Sequence, residues 1–298
     1  MPRSLFSAVT GLRTNQERMD VIADNIANVN TTAFKSSRES FVNSFSQTLR
    51  PPTNTQPAGV QIGLGNQVSH VSTNFNQGAF QRTDVTTDLA ISGEGFFMVN
   101  SQPAGAGTNF FTRDGSFAVD RNGFLITALG HRVRGVVGTP AAPTNAVDPL
   151  AAAPGAIGDI IIPSTFGVGP ETTVRYSIDT DGRVSLFGSA GTTWVAGFIV
   201  IAKFSTPSAL NREGNNLYSF NSAAGDFSGN GTFSETADVR KPGTNGFGTS
   251  QSGALELSNV DLSQEFTDMI VTQRGFDSNA SVIRTADEML QTLNSLKR

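Results

Sequence analysis

The residue types that most often carry chemistry are scarce in this chain, and its two histidines are the first to consider. His70 and His131 each lie in or beside a predicted strand, with no second histidine or cluster of carboxylates close by in the sequence. A metal centre needs several ligands, and a general base needs a partner that orients it. The pattern therefore favours ordinary surface or core histidines over metal ligands or catalytic bases.

Two short motifs are similar to ligand-binding loops, but both are incomplete. Asp179–Gly182 has the Asp-Thr-Asp-Gly opening of a calcium loop without the later ligands or the glutamate that closes such a loop, so a tight turn is favoured. Gly63-Leu64-Gly65 lacks the third glycine and the following helix of a dinucleotide-binding loop. The chain has no cysteine, and no serine lies in a Gly-x-Ser-x-Gly elbow. We therefore predict a protein that is not an enzyme, with no catalytic, cofactor-binding or metal-binding residues.

The overall charge limits the classes of partner. The net charge is −4 and the isoelectric point is about 5.2, which argues against general nucleic-acid binding. Charged residues make up only 15% of the chain, a low fraction that suggests surfaces covered by other subunits. No apolar run is long enough to span a bilayer, and the first residues lack the apolar core of a conventional signal peptide. We expect no membrane insertion.

The elements that organise the chain lie at its two ends. In Asp261–Arg298, apolar residues recur every seven positions, and a capping aspartate precedes them with Gln264 three residues on. A helix from Asp261 to Leu296 would be about 54 Å long at roughly 1.5 Å per residue, so it needs a partner. Gly275 within it is either a soft point or a site of close helix approach. The predicted seam residues are Leu262, Met269, Phe276, Ile283 and Leu290. Other apolar residues widen this stripe: Phe266, Ile270, Ala280, Ala286 and Leu293.

The N-terminus carries the same seven-residue repeat. Its apolar positions are Leu5, Leu12, Met19 and Ile26. We predict a mixed fold in which N- and C-terminal α-helices pair as a coiled coil, with a central, mainly β domain between them. The alternative is that each helix packs on the middle domain. The Asn-Val-Asn-Thr-Thr run after Ala27 predicts that the first helix ends near Asn30. Phe41 and Phe45 follow Phe34 at a helix-compatible spacing.

The middle of the chain has the pattern of short strands joined by turns. We predict tight hairpin turns at Asp114-Gly115, Asn122-Gly123 and Asp181-Gly182, and a hairpin region over Asp88–Val99. Most of the 22 phenylalanines should pack in the β core. The low-complexity stretch 139–156 should be an exposed loop.

These patterns divide the chain into domains. We predict a terminal coiled-coil domain from residues 1–35 and 258–298, a linker over 36–70 that includes a proline-rich loop, and a β-rich domain over 71–257.

Several long motifs also resemble one protein family. They lie at 24–35 (Asp-Asn-Ile-Ala-Asn-Val-Asn-Thr-Thr-Ala-Phe-Lys), at 77–97, in the Phe-Thr-Arg-Asp-Gly-Ser-Phe run at 111–117, and at 258–290. Together they resemble the bacterial flagellar axial proteins, the rod and hook group. The family usually has glycine at the position of Ala33. The segments Ser258–Leu262 and Gln273–Phe276 are more similar to the hook protein, whereas the loop at 50–62 and the modest length resemble the distal rod protein.

The resemblance implies a structural subunit of the flagellum. We favour a subunit that self-assembles into the hollow hook and transmits torque from the rod to the filament, with a distal rod (drive-shaft) subunit as the alternative. The implied partners are further copies of the chain, neighbouring axial proteins (rod, hook–filament junction and hook cap) and the flagellar type III export apparatus. The implied location is the flagellar hook and basal body, reached by export without a cleaved signal peptide. The terminal helices would form the inner layer of the tube, so the nine seam residues named above become the expected assembly interface.

Overall fold

The computed structural model describes residues 2–50, 59–102, 107–137, 157–166, 171–189, 191, 193–225, 233–234, 238–244 and 246–296. The chain forms two compact parts. The helical part comprises Met1–Val29, Lys35–Asn74 and Val260–Arg298, and the β-rich part comprises Asn30–Phe34 and Phe75–Asn259. The predicted combination of two terminal helices and a large, mainly β region is confirmed.

The helical part contains both long helices and four strands. These are α1 (Pro2–Ala27), β1 (Ser37–Asn43), β2 (Ser46–Arg50), β3 (Val60–Gly63), β4 (Asn66–Thr73) and α2 (Leu262–Leu296). Strand β1 pairs with β4 and β2 pairs with β3, both antiparallel. Asp261 caps α2, as its carboxylate accepts hydrogen bonds from the Ser263 N–H at 2.9 Å and the Gln264 N–H at 3.4 Å. Such a cap satisfies N–H groups that have no partner within the helix.

Strands β1 to β3 and most of β4 lie in the stretch 36–70 that was predicted as a linker. The helix-compatible spacing of Phe41 and Phe45 was misleading, because Phe41 lies in β1 and both rings are exposed. A separation of four residues returns to the same face in a strand as well as in a helix, so the spacing alone does not distinguish them. Residues 51–58 of the loop at 50–62, and the whole loop predicted at 139–156, lie outside the described residues. The domain boundaries remain a prediction.

The β-rich part is built from short strands. In chain order they are β5 (Phe80–Arg82), β6 (Leu89–Ser92), β7 (Phe96–Asn100), β8 (Asn109–Thr112), β9 (Phe117–Val119), β10 (Leu125–Thr127), β11 (Arg132–Val137), β12 (Ile157–Asp159), β13 (Thr165–Phe166), β14 (Glu171–Ile178), β15 (Arg183–Gly188), β16 (Thr193–Ile199), β17 (Ile201–Ala202), β18 (Asn211–Gly214), β19 (Leu217–Ser219), β20 (Val239–Arg240), β21 (Thr249–Ser252) and β22 (Ala254–Glu256). Fourteen of them form one sheet whose longest path runs β13-β14-β15-β16-β11-β7-β8-β19-β18. Separately, β21 pairs with β6 and β22 pairs with β5.

Strand β7 lies in the middle of the apolar core because both of its faces are apolar. Phe97 and Val99 enter one buried cluster, and Phe96 and Met98 enter a second cluster. Successive side chains of a strand point to opposite faces, so this uninterrupted apolar run predicts a strand buried on both sides. The rings of Phe96, Phe97 and Phe111 are fully buried, in agreement with the expected role of the phenylalanines.

Two of the predicted hairpin turns are confirmed. Asn122-Gly123 joins the paired strands β9 and β10, and Asp181-Gly182 joins β14 and β15. The glycines have φ of 84° and 71°, in the left-handed region that glycine adopts without steric cost. The Asp179 motif is therefore a hairpin turn, and its carboxylate pairs with Arg183 at 2.9 Å.

Two other hairpin predictions are wrong. Asp114-Gly115 does not join paired strands, because β8 pairs with β7 and β19 while β9 pairs with β10. A side chain at position 115 would collide with the Leu89 carbonyl, so the glycine lets the segment between β8 and β9 pass close to the backbone of β6. In Asp88–Val99, β6 pairs with β21 instead of β7. Gly93 and Gly95, with φ of 107° and 137°, lie between β6 and β7 and change the direction of the chain so that these two strands do not pair.

The turn after α1 has an unusual backbone at Ala33. Helix α1 ends at Ala27, close to the predicted position, and Ala33 follows with φ of 56°. Ala33 is buried, and its N–H donates to the carbonyl oxygen of Glu256 at 2.8 Å. The left-handed region costs a residue with a Cβ roughly 1–2 kcal/mol. The turn therefore keeps the geometry suited to glycine although this chain has alanine.

Glu256, whose backbone carbonyl accepts the Ala33 N–H, also forms a buried ion pair through its side chain. Arg113 Nη1 lies 3.3 Å from Glu256 Oε2, and both side chains are at most 4% exposed. Glu256 Oε1 accepts the Gly78 N–H at 2.9 Å, and Arg113 Nη2 donates to the Gly93 carbonyl at 2.8 Å. Burial lowers the pKa of Arg113, and the neighbouring Glu256 carboxylate opposes that shift. The pair joins β22 to the segments around positions 78, 93 and 113.

Replacing Ala33 with glycine should stabilise the β-rich part. Ala33→Gly relieves the left-handed strain, and we expect the free energy of unfolding to rise by about 1 kcal/mol. Urea unfolding followed by Trp194 fluorescence measures this change. Ala90→Gly, at a buried position of β6 with ordinary φ, is the matched control and should lower stability instead. A loss of stability in Ala33→Gly would contradict the assignment of strain.

Neutralising Glu256 should be strongly destabilising. Glu256→Gln leaves the Arg113 guanidinium buried without a counter-charge, which should cost about 3–5 kcal/mol in urea unfolding. The control is Asp179→Asn, which breaks a pair whose side chains are 49% and 44% exposed. This loss should be no more than about 1 kcal/mol. An equal loss of unfolding free energy in the two variants would contradict the view that the buried pair contributes more than the exposed one.

Candidate functional site: the paired terminal helices

Helices α1 and α2 lie side by side and run in opposite directions. Arg18 Nη2 contacts Asp268 Oδ1 at 3.2 Å, and Asn25 Nδ2 donates to Glu265 Oε1 at 3.1 Å. Nearer the start of α1, Gly11 faces Asn279 of α2. Increasing numbers on α1 thus meet decreasing numbers on α2, which defines an antiparallel pair.

Mostly small and polar residues occupy the line where the helices meet. On α1, Ala8, Gly11, Ile22 and Asn25 are buried, and Thr14 is buried toward β4, where its Oγ1 donates to Asn66 Oδ1 at 3.3 Å. Thr272 and Ala286 are the two buried residues of α2 among those described. A Cβ added to Gly11 would lie 2.7 Å from Asn279 Nδ2, and one added to Gly275 would lie 3.3 Å from Asn15 Nδ2. Residues this small let the helix backbones approach closely. Of the two interpretations of Gly275, this geometry supports close helix approach.

The predicted seam residues lie beside this line. Leu5, Leu12, Met19, Ile26, Met269 and Ile283 are half-buried. Leu262 is 39% exposed, and Phe276 and Leu290 are each 37% exposed. The close approach at Gly11 and Gly275 leaves little room for large side chains there, and the predicted seam residues lie along the margins. Their role as an assembly interface remains a prediction.

Further apolar side chains of the helices are left exposed by the pair. On α2, Phe266, Ile270 and Leu293 are 51%, 58% and 54% exposed. On α1, Phe6 and Val9 are also exposed. The seven-residue pattern places the α2 residues in a widened stripe but does not include Phe6, Val9, Val271 or Met289. The available signal was an apolar content distributed around the helices, which exceeds what one partner can cover.

Asn25 links α1 to β1 and α2. Its Nδ2 donates to the Ser37 carbonyl at 2.9 Å and to Glu265, while its Oδ1 accepts the Ser37 N–H at 2.9 Å. A buried amide is tolerated when its donors and acceptors are satisfied in this way. The Asp-Asn-Ile-Ala-Asn motif therefore contains a clamp on the first residue of β1.

The same corner of the helical part concentrates carboxylates. Arg18 Nε lies 3.0 Å from Glu39 Oε1 of β1, in addition to its contact with Asp268. Burial raises the pKa of Glu39, and the Arg18 charge opposes that shift. Burial also raises the pKa of Glu265, where the Asn25 hydrogen bond acts in the opposite direction and the Asp268 charge adds to the rise.

The residues considered first for chemistry are not brought together. His70 is exposed on β4, with Nδ1 3.4 Å from Ser69 Oγ, and His131 packs near the Phe110 ring at 5.7 Å. In the part of the chain that the structure describes, no three His, Asp or Glu side chains are arranged to hold a metal ion. Neither of the described helices is long and apolar enough to cross a membrane.

Three family models match this chain. Residues 5–35 match "Flagella basal body rod protein", residues 90–186 match "Flagellar hook protein FlgE/F/G D1 domain", and residues 251–296 match "Flagellar basal body rod FlgEFG protein C-terminal". The first and last contain most of α1 and all of α2. The middle match covers β7 to β14 and most of β15.

Full-length relatives agree with these models. The flagellar basal-body rod protein FlgG of Bacillus subtilis (strain 168) is 39% identical over 308 aligned positions covering all of both chains. Its counterpart in Borreliella burgdorferi is 34% identical over 304 positions, again covering both chains completely. The flagellar hook protein FlgE of Borreliella burgdorferi is 28% identical over 458 positions. The chain therefore belongs to the flagellar axial protein family of rod and hook subunits, which are structural components of the flagellum and not enzymes.

Proposed function

We propose that this chain is a subunit of the distal rod, the drive shaft of the flagellar basal body. Rod and hook proteins polymerise with themselves and with neighbouring axial proteins. The choice of rod is supported by rod relatives that align over the whole of both chains with few added positions. The alignment with the hook protein runs over 458 positions, far more than the 298 residues present here. The preference for the hook from the motifs at 258–276 is not supported by these lengths.

The observation that carries the proposal is the uncovered apolar surface of the terminal helices. Phe266, Ile270, Met289, Leu290 and Leu293 are all at least 37% exposed on α2. Burying five such side chains against neighbouring subunits would contribute on the order of 10 kcal/mol. A monomer gains nothing from this surface, whereas a polymer of packed helices covers it.

The contact line also fits a coiled-coil arrangement of the pair. Glu265, Thr272, Asn279 and Ala286 follow one another at intervals of seven and lie on the α1 side of α2. The predicted apolar seam repeats at the same interval beside them. We infer that α1 and α2 form a short antiparallel coiled coil within the subunit, with small residues at its centre. The larger residues at its margins then face adjacent subunits.

The remaining partners follow from the family. We propose that the subunit passes through the flagellar type III export apparatus before assembly and contacts other axial proteins at the ends of its polymer. In the rod the assembled tube is a stiff shaft, and the paired helices supply its inner layer.

Charged residues on the exposed helix face should block polymerisation without unfolding the subunit. In Ile270→Glu/Leu293→Glu, Ile270 lies off the α1 contact line and Leu293 lies beyond the start of α1 at Pro2, so monomer circular dichroism should stay unchanged while sedimentable polymer is lost. Ser278→Glu/Gln291→Glu, at two exposed polar positions of α2, is the control and should polymerise normally. Normal tubes from the Ile270/Leu293 variant in electron micrographs would refute the proposed interface.

Enlarging Gly11 should separate the two helices. Gly11→Leu places a side chain where Asn279 now lies, and overpacking of this kind costs about 1–3 kcal/mol. Thermal unfolding followed at 222 nm should show the loss. The matched control is Gly63→Leu, since a Cβ added to Gly63 meets nothing within 4 Å. Unchanged helical stability in Gly11→Leu would contradict the close pairing.

A further inference from the structure

The corner where α1, β1 and α2 meet places three carboxylates around one arginine. Arg18 of α1 contacts Glu39 of β1 at 3.0 Å and Asp268 of α2 at 3.2 Å. Glu265, one turn before Asp268, is half-buried and accepts a hydrogen bond from Asn25 at 3.1 Å. When all three carboxyl groups are ionised, they carry three negative charges, and Arg18 supplies the one positive charge in direct contact with them.

The groups around the corner supply little further positive charge. On β1, Arg38 is exposed, and its charge favours the ionised form of Glu39. On α2, the Gln264 amide donates to Asp268 at 3.0 Å but carries no charge. On β4, which pairs with β1, His70 lies opposite Ser40 and is exposed. Glu39 on β1 and the two carboxylates on α2 therefore carry more negative charge than the nearby cations balance, and these two elements must stay in contact.

Protonation of a carboxyl group would relieve this repulsion. Burial raises the pKa of Glu39 and that of Glu265, so the docked state binds protons more readily than the separated elements do. A group whose pKa is raised on folding contributes stability that is fully present below its unfolded value, about 4.3 for glutamate. That contribution is lost as the pH rises through the higher folded value.

We propose that this corner is a proton-operated latch that holds the C-terminal helix against α1 and β1 when its glutamates are protonated and loosens it as they ionise with rising pH. Neutral Glu265 and Glu39 leave Arg18 and Asp268 as a balanced pair. The ionised glutamates repel each other and Asp268 across the junction of α2 with the other two elements. The latch would act in the same way in a rod subunit and in a hook subunit.

Distance measurement between the two helices tests the latch directly. The chain has no cysteine, so spin labels can be attached in Gln16→Cys/Gln273→Cys, two exposed neutral positions on facing stretches of α1 and α2. Pulsed electron spin resonance should give a short, narrow distance at pH 5. At pH 8 the short-distance fraction should fall by roughly threefold or more, as a proton-linked equilibrium requires. Trp194 fluorescence checks that the β-rich part stays folded at both pH values.

Variants in the same labelled chain assign the effect. Glu265→Gln/Glu39→Gln should keep the short distance at both pH values, because the repelling charges are gone. Glu17→Gln, which alters an exposed pair with Arg13 on α1, should retain the wild-type response. The proposal is overturned if the unmodified corner gives the same distances at pH 5 and pH 8. It is equally overturned if Glu265→Gln/Glu39→Gln responds to pH as the wild type does.

Discussion

The close approach of α1 and α2 is the constraint on which the behaviour of this subunit depends. Gly11 and Gly275 are small enough to bring the two backbones together where they face Asn279 and Asn15. A narrow gap cannot hold leucine or phenylalanine rows. Large apolar side chains lie instead at the margins and on the outer faces, where a single subunit leaves them exposed.

The β-rich part is built from short strands, and buried contacts between distant segments hold these strands together. Strand β7 fills both sides of its sheet with apolar side chains, and the buried pair of Arg113 and Glu256 connects the last strand to distant segments. The backbone of Glu256 also holds Ala33, so the turn that follows α1 is fixed by the strand that precedes α2. Motifs from both ends of the sequence thus meet at one residue.

Sequence periodicity predicted the two helices, and short local motifs predicted the Asp261 cap and the turn at Asn122-Gly123, because these features depend on local chemistry. The strands in residues 37–50 were missed because spacings of four suit a helix and a strand equally. The seven-residue pattern also could not predict which residues of α2 face α1. Two sets of residues on α2 share the same seven-residue interval, and only the size of the residues on α1 determines which set lies between the helices.

The central claim is that the exposed apolar faces of the terminal helices are an assembly surface. Electron cryomicroscopy of tubes grown from the purified protein tests it most directly. The account predicts a straight hollow tube in which Phe266, Ile270 and Leu293 are buried against helices of adjacent subunits. A tube held together through the β-rich parts, with these three side chains facing water, would contradict it.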